Sequence, residues 1–194
     1  MASDRWGPAG PPEEAYSRVT NPERFVRLHD IASDVAEDLR ARFAVELASG
    51  YGVDDDLVSG PLQVRLTLAR PTLRLTPRDA DQASIVIAFT AFPGLRVRFG
   101  SWYKCSFPDC GCDACDETLE DQSERLRALV ADVVEGRFRE SIRLWADGNA
   151  WLEWEFWKVG GWSLSREAVD LDRAQQLLAQ RGTDTVRFRA WSIR

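Results

Sequence analysis

Apolar and polar positions alternate along this chain with periods that separate helices from strands. Asn21-Pro22-Glu23 carries the marks of a helix start: a capping Asn, a Pro at the first helical position and an acidic first turn. Phe25, Leu28, Ala32, Val35, Leu39 and Phe43 then recur at helical spacing, with Asp30, Asp34, Glu37 and Asp38 mostly off that stripe and Gly50 as the expected stop. His29 lies at the stripe's edge and reads as a helix-surface histidine. Leu62, Val64, Leu66 and Leu68 alternate with Gln63, Arg65 and Thr67, which predicts a strand with one buried face; Leu73 and Leu75 flank Arg74 in a shorter one. Residues 84–92 are apolar on both faces, so this strand should be central and covered on both sides. After the Pro93-Gly94 turn, Leu95, Val97, Phe99 and Tyr103 alternate with Arg96, Arg98 and Trp102.

The second half begins with a helix over residues 117–135, carried by Leu119, Leu126, Leu129, Val130, Val133 and Val134 and stopped by Gly136. Residues 138–145 and 150–158 are alternating runs around Asp147-Gly148-Asn149, which predicts a hairpin. A three-residue loop would set Arg143 opposite Glu153, Ser141 opposite Glu155, Arg139 opposite Trp157 and Trp145 opposite Trp151, leaving Leu152, Trp154 and Phe156 for the core. A short strand over residues 162–165, a third helix capped by Asp170 and ending at Gly182, and a last strand through Val186, Phe188 and Ala190 complete the reading. Residues 1–20, with Gly7-Pro8-Ala9-Gly10-Pro11-Pro12, predict a flexible N-terminal arm ahead of a single α+β domain over 21–194. The expected architecture is a mostly antiparallel sheet of six to eight strands with three helices and a cysteine-rich metal loop between a strand and the second helix. There is no βαβ rhythm and no phosphate loop, so a Rossmann nucleotide site is not expected.

All four cysteines fall in one stretch, Cys105, Cys110, Cys112 and Cys115. A plant-type iron–sulfur loop would need a cysteine at position 113 and a distant fourth, and 113 is Asp. Zinc deaminases need H-x-E and P-C-x-x-C; here His29 precedes Asp30-Ile31 and Gly111 precedes Cys112. Cys112-x2-Cys115 has zinc-knuckle spacing, and Gly111 lets the chain reverse between Cys110 and Cys112. Residues 104–135 hold three basic and nine acidic groups, a field that favours a divalent cation over bare thiolates. A structural zinc on these four cysteines is therefore expected. Redox-active or incidental thiols are the competing reading.

Cys-Gly-Cys-Asp-Ala-Cys-Asp-Glu at 110–117, with Trp102, Phe107-Pro108 and Asn-Pro-Glu-Arg-Phe at 21–25, resembles an uncharacterised actinobacterial family with this motif. The resemblance implies no activity. It centres on Cys110, Cys112 and Cys115, which leaves the fourth ligand open among Cys105, Asp113, Asp116 and water.

Charge narrows the partners. The 194 residues carry a net charge of -6, which argues against a general nucleic-acid binder, and no apolar run approaches the roughly 18 residues of a membrane helix. The N-terminal residues lack an apolar secretory core, so a cytoplasmic protein is expected. Of the basic residues 23 are Arg and 2 are Lys, and many alternate with core positions on strands. Arg96, Arg98, Arg187, Arg189 and Trp191 are the expected binding face, because Arg and Trp dominate interface hot spots. Glu153 and Glu155, flanked by Trp151 and Trp157, have the pattern of a catalytic carboxylate pair, but cross-strand ion pairing on a solvated face explains every residue and is the expected reading. The function expected is a binding or regulatory module with a protein partner and a structural zinc. The alternatives are a zinc-dependent hydrolase with three cysteine ligands and an open water position, or an anion or RNA binder weakened by salt.

Overall fold

A computed structural model of the chain describes residues 5–52, 57, 66–146, 148–158 and 161–194. Among these are helices α1 (Leu28–Arg42), α2 (Leu119–Val134) and α3 (Leu171–Arg181). The strands are β1 (Val45–Gly50), β2 (Thr72–Pro77), β3 (Ile85–Thr90), β4 (Gly94–Phe99), β5 (Tyr103–Phe107), β6 (Phe138–Leu144), β7 (Ala150–Lys158), β8 (Gly161–Val169) and β9 (Thr185–Arg187). Every pairing between them is antiparallel. The chain is α+β, with the cysteine cluster between β5 and α2. The strands form two sheets rather than one, ordered β1-β2-β3-β4-β5 and β8-β7-β6-β9. The division falls where the cysteine loop and α2 intervene between β5 and β6.

The amphipathic stripes of α1 and α2 cover one face of the first sheet, burying Leu28, Ala32, Leu126 and Val130 with Ile85, Ile87, Phe89 and Val97. The other face of β3, Val86 and Ala88, packs against Leu57, so β3 is buried on both sides as its composition predicts. The second sheet joins the same core through aromatic contacts. The Tyr103 ring lies 5.0 Å from Trp154 and 5.4 Å from Phe156, and Phe138 stacks 5.4 Å from Phe188. A satellite core of Trp102, Ile142, Leu152 and Ala174 sits under α3. Asp170 caps α3 by accepting from the Arg173 amide at 2.8 Å, and Gly182 ends it in the left-handed region.

Several boundaries differ from the periodic reading. Residues 22–25 form a 3-10 turn, and α1 ends at Arg42, eight residues before Gly50. Residues 45–50 are instead taken into β1, because all six pair with β2. The run from Leu95 to Tyr103 breaks at Gly100 (φ +64°) into two strands that pair with each other. The strand expected at 62–68 lies largely outside the described residues; Leu68 bridges Thr90. The last strand is shorter, ending at Arg187.

The β6–β7 hairpin also differs. Its loop is Trp145–Asn149, closed by the Trp145 amide donating to the Asn149 carbonyl at 2.8 Å, so Arg143 pairs with Trp151, Ser141 with Glu153 and Arg139 with Glu155. The slip is two residues. A strand's side chains repeat every two, so each residue keeps its face and Leu152 and Phe156 still point into the core.

His29 is buried rather than on the surface. Its Nε2 lies 3.0 Å from the Gly94 carbonyl and its ring meets Phe89 edge-on at 5.4 Å. Burial lowers its pKa below 6.5, against the opposing pull of the Gly94 carbonyl, and the Arg70 charge lowers it further. The unfolded chain therefore takes up a proton first, so stability should fall as pH drops below about 6.5. Urea unfolding at pH 7.5 and 5.5 is expected to show this loss, and His29→Gln should reduce the difference. An unchanged pH dependence in the variant would mean that other groups produce it.

Candidate metal centre

The loop between β5 and α2 is built to hold one shape. It leaves β5 through a cis Phe107–Pro108 bond and turns at Gly111 (φ +73°), where a Cβ would lie 2.9 Å from the Phe92 ring and 3.0 Å from Pro108. Only glycine fits there. The Glu117 carboxylate gathers the loop's amides: Oε1 accepts from Asp109 N at 2.8 Å and Gln122 Nε2 at 3.1 Å, while Oε2 accepts from Gly111 N at 2.7 Å and Cys110 N at 3.3 Å. Arg125 of α2 donates to the Ser106 carbonyl at 3.0 Å, pairs with Asp109 at 3.0 Å and lies over the Phe107 ring. Thr118 caps α2 by accepting from Asp121 N at 3.1 Å.

On this frame the sulfurs of Cys110, Cys112 and Cys115 come together, all within 4.8 Å of one another. Cys110 Sγ lies 3.1 Å from Cys112 Sγ and 3.2 Å from Cys115 Sγ, and none of the three is in a disulfide. The Cys112 amide donates to Cys110 Sγ at 3.3 Å, the kind of N–H···S contact that supports a thiolate. Desolvation pushes the Cys110 thiol up to about 12, reinforced by its contacts with the other two sulfurs. The hydrogen bond from Cys110 holds Cys112 below the ordinary thiol value. Cys115 is raised, because Cys112 and burial outweigh the downward pull of Cys110. Of the three, Cys112 is the most readily ionised. The cluster could hold a metal ion, which would ionise its thiols.

Cys105 does not join them. It lies in β5 opposite Val97 with its side chain in the main core, and burial pushes its pKa up to about 12. It is a small apolar core residue rather than a ligand. Asp113 is not a fourth ligand either, since both its oxygens are taken. Oδ1 accepts from Thr20 N at 2.9 Å, and Oδ2 accepts from the Thr20 hydroxyl and from Arg18 Nε at 3.0 Å. The Thr20 hydrogen bonds, with Arg18, hold this carboxyl below the usual range. Asp116 pairs with Arg5 at 2.9 Å. Among the described residues the cluster therefore supplies three ligands, and its exposed side at Cys110 and Cys115 opens to solvent.

The contacts of Arg5, Arg18 and Thr20 change the reading of the N-terminal arm, whose residues 5–20 pack on the loop. Ala15 is fully buried, the Ala114 amide donates to the Ala15 carbonyl at 3.1 Å, and the Asp113 amide donates to the Arg18 carbonyl at 2.8 Å. Arg24 reaches the Gly111 carbonyl at 3.0 Å and the Glu117 carbonyl at 3.3 Å. Sequence reasoning missed these roles of Arg18, Thr20, Arg24 and Glu117. Its one signal was that Asn-Pro-Glu-Arg-Phe and the cysteine motif both carried the family resemblance; the two segments touch.

The arginines and tryptophans named as a binding face are dispersed. Arg96 and Arg98 lie on β4 of the first sheet, Arg187 lies on β9 of the second, and Arg189 follows it and pairs with Asp81 at 3.1 Å. Trp191, expected at the surface, is 4% exposed in the main core, with its indole N–H donating to the Ala83 carbonyl at 2.9 Å. Trp102 is buried too, whereas Trp157 is 45% exposed. Glu153 and Glu155 are buried and tied down, Glu155 by a two-point pair with Arg139 and Glu153 by the Ser141 hydroxyl and Arg143, each at 3.2 Å. Such engaged carboxylates make poor acid–base catalysts.

Among the described residues no helix is long and apolar enough to cross a membrane. No curated protein and no solved structure matches the chain. A family profile matches residues 3–194, nearly the whole length, and by that match the chain belongs to DUF6226, a family of unknown function.

Proposed function

We propose that this protein is a zinc-stabilised binding module. The carrying observation is the convergence of Cys110, Cys112 and Cys115 on a loop whose backbone is already fixed by Glu117, Arg24 and Arg125. Sulfurs on a tetrahedral zinc at about 2.3 Å stand roughly 3.8 Å apart, so separations of 3.1 and 3.2 Å need only a small opening. The zinc would neutralise thiolates in an acidic stretch and lock the N-terminal segment against the sheet. Free thiols suit a reducing compartment, the cytoplasm. The partner in this reading is another protein.

The three-ligand geometry also bears on the hydrolase reading, because a fourth position would be left for water. That reading needs a free general base beside it. Asp109, Asp113, Asp116 and Glu117 are each committed to an arginine or to backbone amides, which favours the structural role.

Elemental analysis of protein purified without added metal tests this. The expected result is one zinc per chain, lost in Cys112→Ser and kept in Cys105→Ala. Zinc-free wild-type protein that fails to take up the ion on titration would overturn the reading.

A further inference from the structure

Among the described residues the cysteine cluster offers three sulfurs and no fourth donor, which suits a centre that binds three ligands and stops. Cys110 Sγ stands 3.1 Å from Cys112 Sγ and 3.2 Å from Cys115 Sγ, closer than the roughly 3.8 Å that a tetrahedral zinc imposes. The groups that could complete a tetrahedron are engaged elsewhere. Asp109 pairs with Arg125, Asp113 with Arg18 and Thr20, Asp116 with Arg5, and Glu117 with the loop amides, while Cys105 lies in the main core. Zinc here would have to take water in its fourth position.

Trivalent arsenic is a centre of the three-ligand kind. It bonds strongly to soft thiolate sulfur, and its lone pair takes the place of a fourth ligand. The lone pair also presses the three bonds together, below the tetrahedral angle, so sulfurs around arsenic stand closer than sulfurs around zinc. Antimony and bismuth form longer bonds and would spread them. Charge agrees with geometry. Three thiolates on Zn²⁺ leave one negative charge, in a stretch where residues 104–135 already hold three basic and nine acidic groups. On trivalent arsenic the same thiolates leave none.

The sulfurs are within reach of such a ligand. Cys110 and Cys115 are exposed, Cys112 is buried, and none is in a disulfide. Arsenous acid is uncharged at neutral pH, so the surrounding carboxylates do not repel it. We propose that Cys110, Cys112 and Cys115 bind trivalent arsenic as a three-thiolate complex. Each As–OH bond of arsenous acid is replaced by an As–S bond, and each departing hydroxide takes one thiol proton. Three waters are released, arsenic stays trivalent, and no oxidant or reductant is needed. The proposal rests on the sulfur convergence that also carries the zinc reading, but not on zinc.

Mass spectrometry of the intact, folded chain, freed of metal and of reducing agent and mixed with sodium arsenite, tests this. The expected adduct carries one arsenic per chain and is heavier than the protein by one arsenic less three hydrogens. Cys105→Ala should form the same adduct. Cys110→Ser and Cys115→Ser, each at an exposed position, should weaken binding by more than about tenfold, the least that losing a mere supporting contact of a ligand costs. The wild-type mass is decisive even where a variant misfolds. No adduct at about 1 mM arsenite, an adduct that keeps an As–OH group on two thiols, or an affinity unchanged in both serine variants would each overturn the proposal. Zinc uptake by protein that forms no adduct would overturn this proposal and leave the zinc reading intact. The adduct in protein that takes up no zinc would support it and overturn the zinc reading.

Discussion

Chelating the metal from purified protein is expected to lower its melting temperature by about 8–16 °C and to expose the N-terminal segment to trypsin. An ion held at a thousand times its Kd contributes about 4 kcal/mol, and in a chain of this size each kcal/mol shifts Tm by about 2–4 °C. The second effect follows from where the loop's contacts go. Ala15 and Arg18 offer their carbonyls to loop amides, while Thr20 and Arg24 grip Asp113 and the Gly111 carbonyl. A loop no longer closed at Cys110, Cys112 and Cys115 stops presenting those groups in register. Cleavage should then appear after Arg18 or Arg24 in chelated protein and in Cys112→Ser, but not in zinc-loaded protein. Cys105→Ala, altering a core position, should keep the zinc-loaded pattern. Chelated protein with an unshifted Tm and an intact N-terminus would show that Glu117 and the arginines hold the loop without metal.

What the sequence displayed follows from which interactions leave a periodic trace. β3 was legible because it is apolar on both faces, and the hairpin because two strand-like runs flank Asp147-Gly148-Asn149 in the sequence. Its register was not, since a two-residue slip preserves every face and only the Trp145–Asn149 loop closure decides it. β1 was hidden because Val45, Leu47 and Ser49 follow a helical stripe with no breaker between; pairing with β2 overrides that continuity. β5 was hidden because its alternation of Tyr103, Cys105 and Phe107 is short and runs directly into the cysteine motif. That same alternation places Cys105 in the core and takes it out of the ligand set. The N-terminal docking left no periodic trace. It depends on single polar side chains about 90 residues away from their partners, such as Arg18 and Thr20 on Asp113.

Replacing Glu140 by Ala is expected to cost about 3–5 kcal/mol, the range for breaking a buried charge pair from one side. Glu140 points inward from β6 and is wholly buried. Its Oε1 accepts from the Trp102 amide at 2.9 Å and the Tyr103 amide at 3.1 Å, and its Oε2 from the Ser101 amide at 3.0 Å. Arg181 of α3 lies 3.3 Å from Oε2 and stacks over the Trp102 ring at 4.2 Å. One carboxylate therefore joins the β4–β5 turn, the second sheet and α3. Burial raises its pKa above the ordinary value in spite of the Trp102 and Ser101 amides and the Arg181 charge. Holding the charge there is costly, and its retention depends on all these partners together. In many buried pairs, replacing both ions by apolar groups is nearly neutral. Here it should not be. Glu140→Met with Arg181→Met removes the ions but leaves three turn amides without an acceptor, each costing about 1–3 kcal/mol. Glu140→Gln keeps a carbonyl oxygen for some of them and should be the mildest of the three. Guanidinium unfolding of these variants gives the order directly. A double variant as stable as wild type would show that the turn amides find other acceptors and that Glu140 does not hold the two sheets together.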